Sequence, residues 1–409
     1  MFHRTLFTSV CCAGIAVANA QLNPAITSWV INPGNETGYS GILSNVLEVV
    51  YNSTDAYVGC TGIPGYSIGP WSGNPNDAGD QDWEFKITLA PVQNTGTPVN
   101  TPLGHIGVWA NGVTIFNPRD AMSYNMQNIW HQNAYFFEGD GFDACLGHPN
   151  QQMEYHTHIN PTCLYDDTDS TQHSPIIGFA FDGFPIYGAF AFANTNGTGG
   201  ITRMKTSYRE RSITDRTTLP DGTLLNVNQY GPAINAQYPM GAYIEDHEFV
   251  TGLGDLDEHN GRFCITPDYP AGIYAYFVTL DADLEPAYPY VLGPAYYGSV
   301  PTGNTGPGSG HNTVPGGVTV YDPFSGVEDG AHGGWLSAFP NPATDHMTIV
   351  SGSIAGTVSL HDALGRAVVV EQMTGTGSTE LDLSGLQRGP YLLVLESGAQ
   401  RWTQTIVLQ

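Results

Sequence analysis

Two histidines stand two residues apart in "MEYHTHINPTCLY" (residues 153–165), between tyrosines and ahead of a cysteine. Alternate side chains of an extended chain share a face, so His156 and His158 point the same way. His148 and His173 flank them within residues 145–173. Imidazole nitrogen suits zinc, copper, iron and nickel. The set therefore reads as a transition-metal site, with copper or zinc the expected ion. His105, at the head of a predicted hairpin, is a fifth candidate ligand, and His131 follows Trp130 outside the segment. The bland alternative is a set of hydrogen-bonded or solvated histidines. The spacing is no standard zinc signature, since neither H-E-x-x-H nor C-x-x-C occurs near it.

Carboxylates form a second group. "LYDDTDSTQ" (164–172) brings Asp166, Asp167 and Asp169 beside hydroxyls, a donor set suited to calcium without the full EF-hand pattern. A solvated acidic turn is the competing reading. "YIEDHEFVTGLGDLDEHNGRF" (243–263) is an acidic loop, with Arg262 placed to pair with one of its acids. Nucleophile chemistry has little support, because there is no G-x-S-x-G elbow and no phosphate-binding Gly-rich loop.

These residues need a scaffold. The chain has 409 residues, 50 Gly, 28 Pro and 22 Tyr, only 12% charged residues, and a net charge of −26. Many turn formers and few helix formers predict an all-β fold. The acidic surface argues against nucleic acid as a partner. Residues 1–20 read as an export signal, with Arg4, an apolar core and Ala18-Asn19-Ala20 for cleavage. No other stretch is apolar enough to span a bilayer as a helix. The mature chain keeps Cys60, Cys145, Cys163 and Cys264. In an exported protein that even number predicts disulfides. Proximity favours Cys145 with Cys163, leaving Cys60 with Cys264, and the other two pairings stay open.

"IGVWANGVTIF" (106–116) aligns without gaps on "IGFAFDGFPIY" (177–187). Asn-Gly and Asp-Gly between alternating runs predict two equivalent hairpins. A two-residue turn would pair Phe181 with Phe184 and Phe179 with Ile186. Asp182 is then a turn residue rather than a catalytic acid. The main domain is expected over 21–298, a Gly/Pro-rich linker over 299–334, and a small immunoglobulin-like β-sandwich over 335–409.

Residues 145–190, from "CLGHPNQQMEYHTH" through "IIGFAFDGFPIYGAF", resemble the YHYH-domain family. The motif reads Tyr155-His156-Thr157-His158, so Thr157 replaces the second tyrosine. The likeness extends through "HIGVWANGVTIFNP", "YPMGAYIEDHEFV" and "LDEHNGRFCITPDYP". It implies an exported protein and specifies no reaction. "FPNPATDHMTI", "VSLHDALGRAV", "LDLSGLQRGPYLLVL" and "TIVLQ" resemble the C-terminal sorting domain of the type IX secretion system. That resemblance implies the type IX machinery as partner and a secreted or outer-surface location.

Three functions fit: a secreted copper- or zinc-binding protein or enzyme acting on an extracellular substrate; a module binding glycans through Trp71, Trp83, Trp109 and Trp130; and a calcium-stabilised adhesin.

Overall fold

A computed structural model describes residues 22–306 and 308–323, and 337–408 apart from 340, 342, 351–354, 362–365, 375–377 and 398–399. The expected export signal and residues 324–336 lie outside the described residues. The chain divides into two compact units, Met1–Tyr321 and Asp322–Gln409. Both are built of strands, and no helix among the described residues is long and apolar enough to cross a membrane.

Both Asn-Gly and Asp-Gly hairpins form, over His105–Trp109 with Thr114–Phe116 and Ile176–Ala180 with Pro185–Tyr187. Their loops have three residues rather than the predicted two. Trp109 N–H donates to Val113 O at 2.8 Å and Ala180 N–H to Phe184 O at 3.0 Å. Gly112 (φ 84°) and Gly183 (φ 90°) take the left-handed third position of such loops. A Cβ on them would sit 2.6 Å from Cys60 Cβ and 2.4 Å from Thr88 Cγ2. The extra residue shifts the register by one, so Phe179 faces Pro185 rather than Ile186. Phe181 and Phe184 consequently join different cores instead of pairing.

The two hairpins lie side by side at the centre of an eight-stranded sheet. Its order is Gly261–Cys264, Ile273–Phe277, Pro185–Tyr187, Ile176–Ala180, His105–Trp109, Thr114–Phe116, Tyr155–Thr157, Gly147–Pro149. Two joins are parallel, and the histidine strand Tyr155–Thr157 makes one of them, with Thr114–Phe116. Val108, Phe179, Tyr187 and Phe277 pack against Val49, Val58, Phe85 and Ile87 of a four-stranded antiparallel sheet. Ile115, Tyr155, Ile177 and Tyr276 belong to a second core completed by loop residues such as Ile63, Ile159 and Leu292. Large side chains buried this fully contribute about 1.5–3 kcal/mol each.

The predicted linker starts too early. Thr319–Val320 is an edge strand on Val46–Tyr51, and Asn304 bridges the backbone N–H and C=O of Lys86 at 3.1 and 2.6 Å. Polar residues and glycines here pack through backbone hydrogen bonds, which composition does not reveal.

The second unit carries a three-stranded and a four-stranded antiparallel sheet with a shared core of Met347, Ile349, Val358, Leu360, Leu393, Leu395 and Ile406. It is the expected small β-sandwich.

Candidate metal centre

The sheet edge builds the site. Gly147–Pro149 and Tyr155–Thr157 pair antiparallel, with His148 opposite His156. Alternation sends Tyr155 and Thr157 into the core, where Thr157 Oγ1 accepts from Trp109 Nε1 at 2.8 Å. His156 and His158 share the other face, as their spacing requires, and their Nε2 atoms are 3.2 Å apart. The ligand atoms of His148, His156 and His158 all lie within 4.8 Å of one another, and all three residues are buried.

Their tautomers follow from their partners. His156 Nδ1 lies 3.0 Å from Glu154 O, and His158 Nδ1 lies 2.7 Å from Asn117 O. A carbonyl only accepts, so each Nδ1 carries the proton. In the neutral imidazoles both Nε2 lone pairs then face each other. A cation between them, either a proton or a metal, would relieve the repulsion of the two lone pairs. A tetrahedral ion with bonds of about 2.0–2.1 Å spaces its ligand atoms roughly 3.3 Å apart, so the bite matches.

A fourth donor was not apparent in the sequence. Asn133 caps the helix Ala134–Glu138 by accepting from Tyr135 N–H, and Glu138 ends it. Glu138 Oε2 lies 3.0 Å from His148 Nε2 and 3.6 Å from His158 Nε2. The only sequence signal is an acid in the unfavourable last turn of a helix followed by Gly139.

Electrostatics suit metal binding. Burial pushes the His148 imidazole down, and burial with the neighbouring His148 and His158 pushes His156 well down, so both favour the neutral, ligating form. Burial raises Glu138, but the imidazoles of His148 and His158 beside it outweigh burial and hold its carboxyl below the usual range. Asp120 hydrogen-bonds Glu138 and is pushed up to about 6 by burial and by that negative neighbour. The four donors form part of the lining of a cavity of about 940 Å³, together with Phe116, Arg119 and Asp120. Phe116 stacks on His156 with ring centroids 3.8 Å apart.

The Cys145–Cys163 disulfide forms and closes the segment that holds the three histidines. The expected Cys60–Cys264 bridge does not: both are buried free thiols, and burial raises both pKa values. They lie on different sheets within one apolar core and behave as small hydrophobes.

Other candidates stand apart from the trio. His105 is fully buried and paired with Glu154, whose carbonyl fixes His156. His173 packs on Tyr187 and Phe192 with Nδ1 2.7 Å from its neighbour's carbonyl, Ser174 O. His131 pairs with Glu245. Asp166 and Asp169 each accept from a nearby threonine, and Asp167 accepts from Asn160, so the three carboxylates are engaged separately. The acids of the 243–263 loop are divided likewise, Asp246 with buried Arg216 and Glu248 with Arg209. Arg262 donates to the carbonyls of Phe192 and Ala193 instead of to these acids. Asp182 is the expected turn residue, buried and bonded to Tyr276 Oη at 2.6 Å. Trp83, Trp109 and Trp130 are buried in cores, which leaves Trp71 alone of the four aromatic glycan candidates with appreciable exposure.

Comparison with known proteins agrees with this organisation. The family described as YHYH protein matches residues 84–288, half of the chain, and the secretion system C-terminal sorting domain matches 337–409. No curated protein matches. Among solved structures the chain is similar to PorZ, an essential bacterial surface component of the type-IX secretion system of Porphyromonas gingivalis. Identity is 13% over 88% of this chain and 59% of that one, with a TM-score of 0.18. The chain thus spans about three fifths of PorZ's length.

Proposed function

The chain belongs to the YHYH protein family and ends in a type IX sorting domain, and from that premise we propose that its exported first unit binds one copper or zinc ion. His148, His156 and His158 supply three Nε2 ligands and Glu138 an oxygen. The carrying observation is the 3.2 Å approach of two Nε2 atoms whose Nδ1 positions are both committed to carbonyls. Donors of this kind, with no sulfur among them, suit divalent zinc or Cu²⁺ rather than Cu⁺. The cavity beside them leaves room for a further ligand where Glu138 dissociates or the ion expands to five-coordinate.

Metal analysis of the purified protein after incubation with excess Cu²⁺ or Zn²⁺ and dialysis tests this reading. Wild type should retain one ion per chain. The His156→Ala/His158→Ala double variant should melt cooperatively and retain none. A wild type that stays metal-free, or a double variant that loads equally, rejects the site.

A further inference from the structure

We propose that Arg119 is a substrate-binding residue that holds the carboxylate of a small organic acid presented to the metal centre, an inference that rests on the metal reading above. The chain has 38 acidic and 12 basic residues, so a cation without an acid in reach is unexpected. Arg209, Arg216 and Arg388 pair with carboxylates. Arg203, Arg211 and Arg262 donate to backbone carbonyls. Among the described residues the Arg119 guanidinium does neither, and its Nε is buried without a partner. A buried donor left unpaired is costly, so this nitrogen is open to an oxygen from outside the protein, as is the unpaired Nε of Arg262, which unlike Arg119 does not line the cavity of the histidines.

Its position says which acceptor. Arg119 lines the same cavity as His148, His156, His158 and Glu138. Three of the cavity's acids are engaged, Glu138 by His148, Glu154 by His105 and Asp120 by Glu138, and the fourth, Asp140, is exposed to solvent. With no protein partner among the described residues, the guanidinium fork can take an incoming oxygen pair, and its planar geometry matches a carboxylate. Its backbone is fixed by a 2.8 Å bond from Arg119 N–H to Asn117 Oδ1 and by strand pairing opposite Asn133. A carboxylate at Arg119 with a second oxygen directed at the metal uses both features of the cavity. A volume of about 940 Å³ admits a small molecule.

The test loads wild type, Arg119→Gln and Arg119→Lys with Cu²⁺ and follows the copper visible band during titration with succinate or azide. All three should hold one copper and bind azide alike, because azide needs only the metal. Succinate should bind Arg119→Gln at least tenfold more weakly than wild type, with partial recovery in Arg119→Lys, which restores charge without the fork. Equal succinate affinity in wild type and Arg119→Gln, or no succinate binding to copper-loaded wild type, overturns the proposal alone. Failure of wild type to take up copper removes the metal reading and this inference together.

Discussion

At the scale of single residues, the tyrosine and the histidines of the motif divide their labour by strand alternation. Tyr155 points into the core, where its hydroxyl bonds Asp143 at 3.1 Å. Asp143 also accepts from Gly69 N–H, Trp71 Nε1, Cys145 N–H and Gly147 N–H. One carboxylate thus gathers the backbone that carries His148. Tyr155→Phe removes one donor from that buried carboxylate and should cost about 1–3 kcal/mol in urea unfolding. The variant should still take up metal, whereas a Tyr155→Phe protein of full stability that lost its metal would reverse this assignment. Thr157, where the family motif has tyrosine, is buried and serves Trp109, so the substitution leaves the histidine face untouched. That face was legible from the H-x-H spacing alone. Glu138 was not, because it precedes Cys145, outside the expected disulfide loop, and becomes a neighbour only through the sheet edge and helix that converge there.

At the scale of elements, the disulfide and the hairpins show where local signals suffice. Cys145 and Cys163 flank the strand pair that bears His148 and His156, and proximity in sequence identified that bridge. Its removal in Cys145→Ser/Cys163→Ser should cost roughly 2–4 kcal/mol and weaken metal binding, because the same loop holds the ligands. Alkylation of the denatured, unreduced mature protein should label two cysteines, Cys60 and Cys264, and no others. Labelling at Cys145 would contradict the structure. The pairing of Cys60 with Cys264 was reached by elimination, and elimination fails where an apolar core accepts a thiol as a small side chain. The hairpins were legible in Asn-Gly and Asp-Gly, but their register was not. The third loop position is left-handed and is crowded by Cys60 at Gly112 and by Thr88 at Gly183, contacts made across the fold that the dipeptide signal does not contain.

At the scale of the molecule, two units with cores of their own support two separate fates. His247 shows how the first unit responds to acid. Burial depresses its imidazole to about 4, against about 6.5 in an unfolded chain. Below pH 6.5 the unfolded chain takes up a proton that the folded one refuses, so the stability His247 contributes is lost as pH falls from 6.5 to about 4. The loss approaches roughly 3 kcal/mol, and His247→Gln should be correspondingly less sensitive to acid than wild type in urea midpoints at pH 7 and 4.5. Asp182, raised to about 6 by burial, acts in the opposite direction and is common to both proteins. The second unit has its own core of Met347, Leu360 and Leu393, and the sorting domain lies within it. A chain ending at Tyr321 keeps the edge strand Thr319–Val320 and the Asn304 bridge to Lys86. It should therefore melt cooperatively, bind metal and remain in the periplasm, since export to the surface depends on the missing domain. A chain ending at residue 298 loses that strand and bridge and should melt at a lower temperature, although composition alone would place the domain boundary there. The truncation at Tyr321 appearing at the cell surface or in the medium at wild-type levels would refute the sorting role. Equal melting of the two truncations would show that residues 299–321 add nothing to the first unit.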